Sequence, residues 1–217
     1  MEQYKKDFID LLVRAQALMF GEFTLKSGRV APYFLNTGKF FKGEYVADLG
    51  KAYAQAYLAS GLKADVIFGP AYKGIPLCVS CVQALYGEGE NLAYCFDRKE
   101  SKEYGDKGGL LVGAPLDENT RVLIIDDVMT AGTAVRETME VLKANGNPKV
   151  VGVLISLDRM EKAKDDEMSA VQAVERDFGI KAFSIVDLDD VVEALSGTVI
   201  DDEMKGKIDK YRGEYGV

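Results

Sequence analysis

Histidine is absent from the 217 residues of the chain. This excludes a Ser-His-Asp triad, a Cys-His pair and histidine-ligated zinc. Any acid–base or metal chemistry must therefore use carboxylates, lysines, tyrosines, backbone groups or the substrate itself. Cysteine is scarce too, since only Cys78, Cys81 and Cys95 occur, which suits a reducing compartment. Cys78 and Cys81 have C-x-x-C spacing, but they lie in an apolar helical stretch, so we interpret them as small core residues.

Long apolar runs are also missing. No segment is long enough to span a bilayer, and residues 1–7, MEQYKKD, are too polar for a secretory signal core. These features predict a cytoplasmic protein without a membrane partner. The net charge of -8 argues against a nucleic-acid partner, which requires a basic face. It does not exclude small anions, because a site can be locally positive inside an acidic protein.

The apolar pattern predicts an α/β protein. An amphipathic helix at about 3–19 is followed by a hairpin at 20–29 and 33–36. Continuous apolar strands then alternate with helices, which predicts a mainly parallel sheet, flanked by helices and buried on both faces. We expect one domain over 1–217, with an N-terminal helix and hood at about 1–40 and an α/β core with C-terminal helices at about 41–217. The strands are expected at 65–68, 92–96, 122–125, 150–157 and 182–186, and the helices at about 43–60, 75–85, 133–145 and 167–177.

The most informative segment runs from Arg121 to Arg136. Its sequence is RVLIIDDVMTAGTAVR, an apolar strand that ends in Asp126 and Asp127 and a Thr/Ala/Gly turn that opens a helix. Ligands of open α/β sheets bind at the carboxyl ends of strands, and a helix N-terminus accepts phosphate. The turn comprises Val128, Met129, Thr130, Ala131, Gly132, Thr133 and Ala134.

Two carboxylates beside a phosphate site make sense if the ligand carries hydroxyls next to its phosphate. A ribose 5-phosphate does so, and we expect Asp126 and Asp127 to take its 2- and 3-hydroxyls. The turn lacks the lysine of a P-loop, and no G-x-G-x-x-G occurs in the chain, which disfavours triphosphate and dinucleotide ligands.

This segment resembles the phosphoribosyl pyrophosphate signature of the type I phosphoribosyltransferases. Further segments resemble the orotate phosphoribosyltransferases, in their bacterial single-function form, over nearly the whole chain. These segments are FGEFTLKSGR at 20–29, PYF at 32–34, FGPAYKGIP at 68–76, FDRKE at 96–100 and SLDR at 156–159. The resemblance implies the type I fold and the transfer of ribose 5-phosphate to orotate.

The same resemblance implies the roles of individual residues. Lys73, Arg98, Lys99 and Lys102 would be catalytic by stabilising the pyrophosphate leaving group. Phosphoribosyl pyrophosphate would be bound by these four residues together with Lys26, Tyr72, Tyr104, Asp126, Asp127 and residues 128–134. Orotate would be bound by Lys26, Phe34, Leu35, Thr130 and Arg159.

The family also implies a cofactor and an assembly. Magnesium would be held mainly by substrate oxygens and water, with no certain protein ligand. The polar loop at 97–109 would close over the site and be shared across a homodimer. Tyr104 departs from the family, which commonly has histidine there, so a proton-donor role at that position is in doubt.

Two alternatives stay open at this point. The chain could act on another base, such as a purine, although FTLKSGR and Arg159 argue against it. It could instead be a non-catalytic regulator that senses phosphoribosyl pyrophosphate and binds nucleic acid, although its acidic charge argues against that.

Overall fold

The computed structural model describes residues 1–25, 28–99, 110–129, 132–163 and 166–217. The chain begins with α1 (Gln3–Arg14), whose buried face includes Phe8, Leu11 and Leu12. Two antiparallel strands follow, β1 (Leu18–Thr24) and β2 (Val30–Leu35), which form a separate two-stranded sheet. A short 3-10 helix (Thr37–Lys39) then leads into the long helix α2 (Gly43–Ser60).

A six-stranded sheet forms the centre of the described chain, with strand order β5-β4-β3-β6-β7-β8. Its strands β3, β4, β6, β7 and β8 are parallel, and only β5, at one edge, is antiparallel. The mainly parallel α/β sheet expected from the sequence is therefore confirmed. The elements are β3 (Val66–Gly69), α3 (Gly74–Gly87), β4 (Ala93–Asp97), β5 (Leu111–Gly113), β6 (Arg121–Asp126), α4 (Thr133–Ala144), β7 (Lys149–Asp158), α5 (Ala170–Phe178), β8 (Lys181–Asp187), α6 (Leu188–Leu195) and α7 (Asp202–Tyr215).

Strand β6 shows how the core is divided. Leu123 and Ile125 belong to the apolar cluster that contains α1, α2 and α3, whereas Val122 and Ile124 belong to the cluster with α4 and α5. Successive side chains of a strand point to opposite faces, and all four are fully buried. A continuous apolar strand is thus the expected result of helices on both faces.

Cys78 and Cys81 are small core residues, as predicted, and Cys95 is one as well. All three are free and buried, and burial raises the pKa of the Cys78 thiol to about 12 and that of Cys95 to about 11. Burial also raises the pKa of Cys81. Because the thiolate is the reactive form, these groups are poor nucleophiles at neutral pH.

Some boundaries differ from the sequence prediction. Helix α1 ends at Arg14 rather than near residue 19, since Gln16 takes a positive φ of 54° and Leu18 starts β1. Strand β5 was not predicted at all, because three residues carry too little pattern. Strand β4 is not buried on both faces as expected: it lies next to the edge strand, and Tyr94 is 39% exposed.

No helix in the described part of the chain has the length and apolar character needed to cross a membrane.

Candidate active site at the carboxyl ends of strands β3 and β6

The central position of the sheet is the junction of β3 and β6. These strands are neighbours, but from β3 the chain continues outward to β4, and from β6 it continues the other way to β7 and β8. Such a reversal leaves a crevice at the carboxyl ends of the two strands, which is where open α/β sheets bind ligands.

The end of β6 presents the two predicted carboxylates, held by their backbone. The buried Tyr53 hydroxyl donates to the Asp126 carbonyl at 2.7 Å. Ser156 donates to the Asp127 carbonyl through both its N–H, at 2.9 Å, and its hydroxyl, at 2.5 Å. Hydrogen bonds from α2 and β7 therefore fix where the two side chains leave the sheet.

The end of β3 turns sharply into α3. A Cβ atom on Gly69 would lie 2.1 Å from the Gly74 carbonyl oxygen, so only glycine permits this close approach. The peptide bond between Ala71 and Tyr72 is cis, and the Ala71 N–H donates to Asp97 Oδ1 at 2.7 Å. The turn places Lys73 opposite the end of β6.

Lys73, Asp127 and Thr37 form a three-membered cluster. Lys73 Nζ lies 2.5 Å from Asp127 Oδ2, the Thr37 hydroxyl donates to the same oxygen at 2.7 Å, and Lys73 donates to Thr37 Oγ1 at 3.2 Å. The other oxygen, Asp127 Oδ1, accepts from the Val128 N–H at 2.8 Å. Asp127 is 7% exposed, so its charge is compensated by these donors rather than by solvent.

The neighbouring carboxylates have opposite pKa shifts. Burial, followed by the charge of Asp127, raises the pKa of Asp126 above its usual range. Burial acts in the same direction on Asp127, but hydrogen bonds from Lys73 and Thr37 outweigh it and lower the pKa of that group. Lys73 pairs with the buried Asp127, whereas the partly buried Asp126 lies beside that charge without an ion pair of its own among the described contacts, so the two pKa values move apart.

The N-terminus of α4 lies beyond these carboxylates along the chain. Gly132 is its N-cap, with a φ of 68°, a left-handed conformation that glycine adopts without strain. Thr133 and Ala134 open the helix and are exposed. The N–H groups at a helix start can bind an anion, and the phosphate role of this turn stays a prediction.

These elements surround a cleft of about 370 Å³. Of the predicted site residues, the structure brings seven together in its lining: Tyr72, Lys73, Arg98, Lys99, Asp126, Asp127 and Ala134. Val128, Met129, Gly132 and Thr133 are close in sequence but do not line it. The predicted residues Lys26, Lys102, Tyr104, Thr130 and Ala131 lie outside the described residues.

The predicted base-binding residues Phe34, Leu35 and Arg159 are not part of this lining. Phe34 lies on β2, is 37% exposed and stacks on Phe23 with 5.6 Å between ring centroids. Leu35 ends β2. Arg159 follows β7, and its Nη2 lies 3.5 Å from a carboxylate oxygen of Glu161.

Sequence reasoning missed several residues that shape the site. Asp97 lines the cleft, and it could have been found because it ends a parallel strand, as Asp126 does. Thr37 follows a hairpin strand, where no sequence signal marks its contact with Asp127. Glu137 and Thr138 also line the cleft, one turn into α4, where they look like ordinary helix residues.

Comparison with known proteins identifies the family. The sequence model of the phosphoribosyl transferase domain matches residues 38–188. The chain has the fold and the strand-end cleft that define the class of phosphoribosyltransferases.

Curated relatives show which family of phosphoribosyltransferases the chain resembles. Orotate phosphoribosyltransferase of Photorhabdus laumondii is 49% identical over all of both chains, and that of Pseudomonas paraeruginosa is 51% identical, again over all of both chains. The crystal structure of orotate phosphoribosyltransferase from Francisella tularensis has a TM-score of 0.87 and 43% identity, and the match covers 97% of this chain and 99% of that one. The chain belongs to the orotate phosphoribosyltransferase family.

Proposed function

We propose that the chain transfers ribose 5-phosphate from phosphoribosyl pyrophosphate to orotate, giving orotidine 5'-monophosphate and pyrophosphate in pyrimidine biosynthesis. The observation that carries the proposal is the cleft where Lys73, Asp126 and Asp127 meet in front of the α4 N-terminus. A sugar with neighbouring hydroxyls, a monoester and a pyrophosphate fits this combination of groups.

The ribose end of the substrate would occupy the end of β6. Asp126 and Asp127 accept hydrogen bonds from the 2- and 3-hydroxyls, and the turn at 128–134 binds the 5-phosphate through backbone N–H groups. In the structure Asp127 is hydrogen-bonded to Lys73 and Thr37. To bind pyrophosphate, the Lys73 amine would have to turn away from Asp127 and toward the ligand.

The leaving group would lie among the cations of the cleft. Lys73, Arg98 and Lys99 line it, and Lys102, Tyr104 and Lys26 are assigned to phosphoribosyl pyrophosphate by resemblance to the family. As the bond from ribose C1 to pyrophosphate breaks, negative charge grows on the leaving oxygen, and fixed cations there lower the barrier. A ring nitrogen of orotate forms the new bond with inversion at C1. Its N–H is acidic enough that no histidine is required.

Magnesium is the proposed cofactor. The acidic residues Asp97, Asp126, Asp127 and Glu137 are among those that line the cleft, and carboxylate oxygens are hard ligands that magnesium accepts. In the described part of the chain no group of three or more acidic, cysteine or histidine side chains is arranged around a metal position. We therefore propose an ion held mainly by substrate oxygens and water, which neutralises pyrophosphate when bound.

The base would lie against Phe34 and Leu35, with Lys26, Thr130 and Arg159 around it. Orotate differs from purine bases in its carboxylate, and the planar guanidinium of Arg159 suits that group. This assignment rests on resemblance, because Phe34, Leu35 and Arg159 do not line the cleft at the ends of β3 and β6, and Lys26 and Thr130 lie outside the described residues.

A direct assay tests the proposal. Protein is mixed with orotate, phosphoribosyl pyrophosphate and magnesium, and the loss of orotate absorbance is followed. We expect turnover with orotate and none with uracil or hypoxanthine. Turnover of hypoxanthine in place of orotate would assign the chain to another base, and salt-dependent nucleic-acid binding without turnover would make it a regulator.

We further propose a cytoplasmic homodimer in which the 97–109 loop completes the neighbouring site. The test mixes two inactive variants, Lys102→Ala and the double variant Asp126→Asn/Asp127→Asn, after reversible dissociation. A shared loop restores about a quarter of wild-type activity, because half of the dimers are mixed and each has one intact site. No recovery in mixed dimers shown to have formed would contradict loop sharing.

A further inference from the structure

A buried carboxylate lies outside the cleft at the ends of β3 and β6 and has no role in the function proposed above. Glu161, three residues beyond β7, is 8% exposed. The Tyr33 hydroxyl donates to its Oε1 at 2.5 Å, and the Tyr211 hydroxyl donates to its Oε2 at 3.2 Å. Both carboxylate oxygens are therefore engaged by phenols, one from β2 and one from α7.

Two arginines approach the same carboxylate. Arg159 Nη2 lies 3.5 Å from Glu161 Oε2, and Arg29 Nη1 lies 3.8 Å from it. Arg29 also donates to the Lys162 carbonyl at 2.9 Å and lies over the Tyr215 ring, 4.6 Å from the centroid. The Glu161 cluster, defined as Glu161 with Tyr33, Tyr211, Arg29 and Arg159, thus joins three separate parts of the chain.

Burying a charged carboxylate costs free energy unless the group is paired and hydrogen-bonded. An apolar residue of similar size often gives equal stability, so stability alone does not explain Glu161. The tyrosines remain protonated donors, since burial and then the charge of Glu161 raise the pKa of Tyr211 to about 12 and raise that of Tyr33 as well.

The position of the Glu161 cluster offers an explanation. Tyr33 directly precedes Phe34 and Leu35, and Glu161 is two residues from Arg159. The segment 34–35 is held on its other side by Thr37, through the hydrogen bond to Asp127. Glu161 therefore connects the two segments that carry the proposed base-binding residues, and Thr37 connects one of them to the ribose end.

We propose that Glu161 is a positioning residue for orotate binding, which orients the Arg159 guanidinium and fixes β2 against it through Tyr33. The nearest approach of Arg159 to Glu161 is 3.5 Å, through Nη2. A guanidinium has five N–H donors in a rigid fork, so an ion pair on one side can set its direction while other donors face a substrate carboxylate. The proposal rests on the function proposed above.

Steady-state kinetics of Glu161→Gln test the proposal. Glutamine keeps the size and can accept a hydrogen bond from Tyr33, but it lacks the charge that holds Arg159. We expect the KM for orotate to rise about tenfold, which corresponds to about 1.4 kcal/mol of binding free energy, because the Arg159 guanidinium loses its ionic partner. Both kcat and the KM for phosphoribosyl pyrophosphate should stay within about twofold of wild type. An unchanged KM for orotate, or an equal rise in both KM values, would overturn the proposal.

A second variant and a control separate positioning from folding. Tyr211→Phe removes one hydroxyl from the Glu161 cluster and should raise the KM for orotate by a smaller factor, about threefold, in a chain that folds normally. Glu203→Gln, on the exposed face of the same helix α7, should change neither KM. If Glu161→Gln fails to fold, the orotate KM of Tyr211→Phe decides, and an unchanged value rejects the proposal. Absence of orotate turnover in the wild type would instead reject the proposed function.

Discussion

Each end of strand β6 carries an ion pair, but the two pairs differ in burial and in the number of acids beside the base. At the amino end, Arg121 binds Asp65 through Nη2 at 2.6 Å and Nε at 2.9 Å, with both side chains more than two-fifths exposed. At the carboxyl end, Lys73 binds Asp127, which is almost fully buried and adjacent to a second acid, Asp126.

This difference separates a structural pair from a candidate site. Hydrogen bonds from Arg121 lower the pKa of Asp65 to about 2, so one acid is matched by one base in solvent. At the other end two neighbouring acids face one lysine, and burial, followed by the charge of Asp127, raises the pKa of Asp126. Two acids facing one lysine suit a site that binds sugar hydroxyls and cations.

The largest effect is expected from removing the acids at the carboxyl end. Asp126→Asn together with Asp127→Asn should lower kcat/KM by roughly 10²–10⁴-fold, because each hydrogen bond to a charged group contributes about 1.5–3 kcal/mol. Steady-state assays give the factor, and circular dichroism checks the fold. Wild-type kinetics in this variant would mean that the end of β6 is not the ribose site.

A nearly equal effect is expected at the lysine between the two strands. Lys73→Ala should lower kcat by roughly 10²–10³-fold, the effect of losing one donor worth about 2.7–4 kcal/mol to the transition state. The matched control is Lys63→Ala, whose amine is exposed and 3.9 Å from Glu90. If Lys63→Ala lost as much activity as Lys73→Ala, the effect would not be specific to the lysine of the cleft.

A smaller effect is expected at Thr37. When Lys73 turns to pyrophosphate, the Thr37 hydroxyl remains with the buried Asp127 carboxylate. Thr37→Val should therefore raise the KM for phosphoribosyl pyrophosphate roughly fivefold, for a hydrogen bond worth about 1 kcal/mol. Thr37→Ser keeps the hydroxyl and should restore the wild-type value. Equal KM values for the valine and serine variants would show that the hydroxyl is not used.

The smallest effect on activity is expected at the amino end of β6. Asp65→Asn should leave kcat and both KM values unchanged and slightly lower the urea midpoint at pH 7. The pKa of Asp65 is below its ordinary 3.8 in the folded chain, so its stabilisation is complete above about pH 4 and disappears as the pH falls toward 2. The midpoints of variant and wild type should converge there. A constant difference between the two urea midpoints over this pH range would contradict a stabilising role of the Asp65 carboxylate.

Asp126 should show the opposite pH dependence. Its pKa is raised in the folded chain, so the folded state binds the proton more tightly than the unfolded state. Its contribution therefore favours folding increasingly as the pH falls from the raised pKa toward 3.8. The two ends of one strand are thus expected to respond to acid in opposite directions.

Much of the fold could be predicted because local patterns were strong. Continuous apolar strands such as 122–125 alternating with helices imply a parallel sheet with helices on both faces, and β3, β4, β6, β7 and β8 confirm it. The end of α1 and the strand β5 were missed. Gln16 with its positive φ is not a typical helix breaker, and three-residue edge strands carry no measurable period.

The strand-end acids of the candidate site could be predicted for the same reason. Asp126 and Asp127 end a strand and precede a glycine-containing turn, so their neighbourhood in sequence is also their neighbourhood in space. Thr37 and Glu161 could not be found in this way, since Thr37 lies 90 residues from Asp127 in sequence and Glu161 lies 128 residues from Tyr33.

The sequence by itself determined the α/β alternation, the strand-end acids and the absence of imidazole chemistry, because each follows from residue type and local spacing. Only the tertiary structure decided which cation meets which acid. The order of strands places β3 beside β6, and that adjacency, rather than any local signal, brings Lys73 to Asp127. Long-range pairing depends on how the whole sheet closes, and the electrostatic balance of the cleft depends on that pairing.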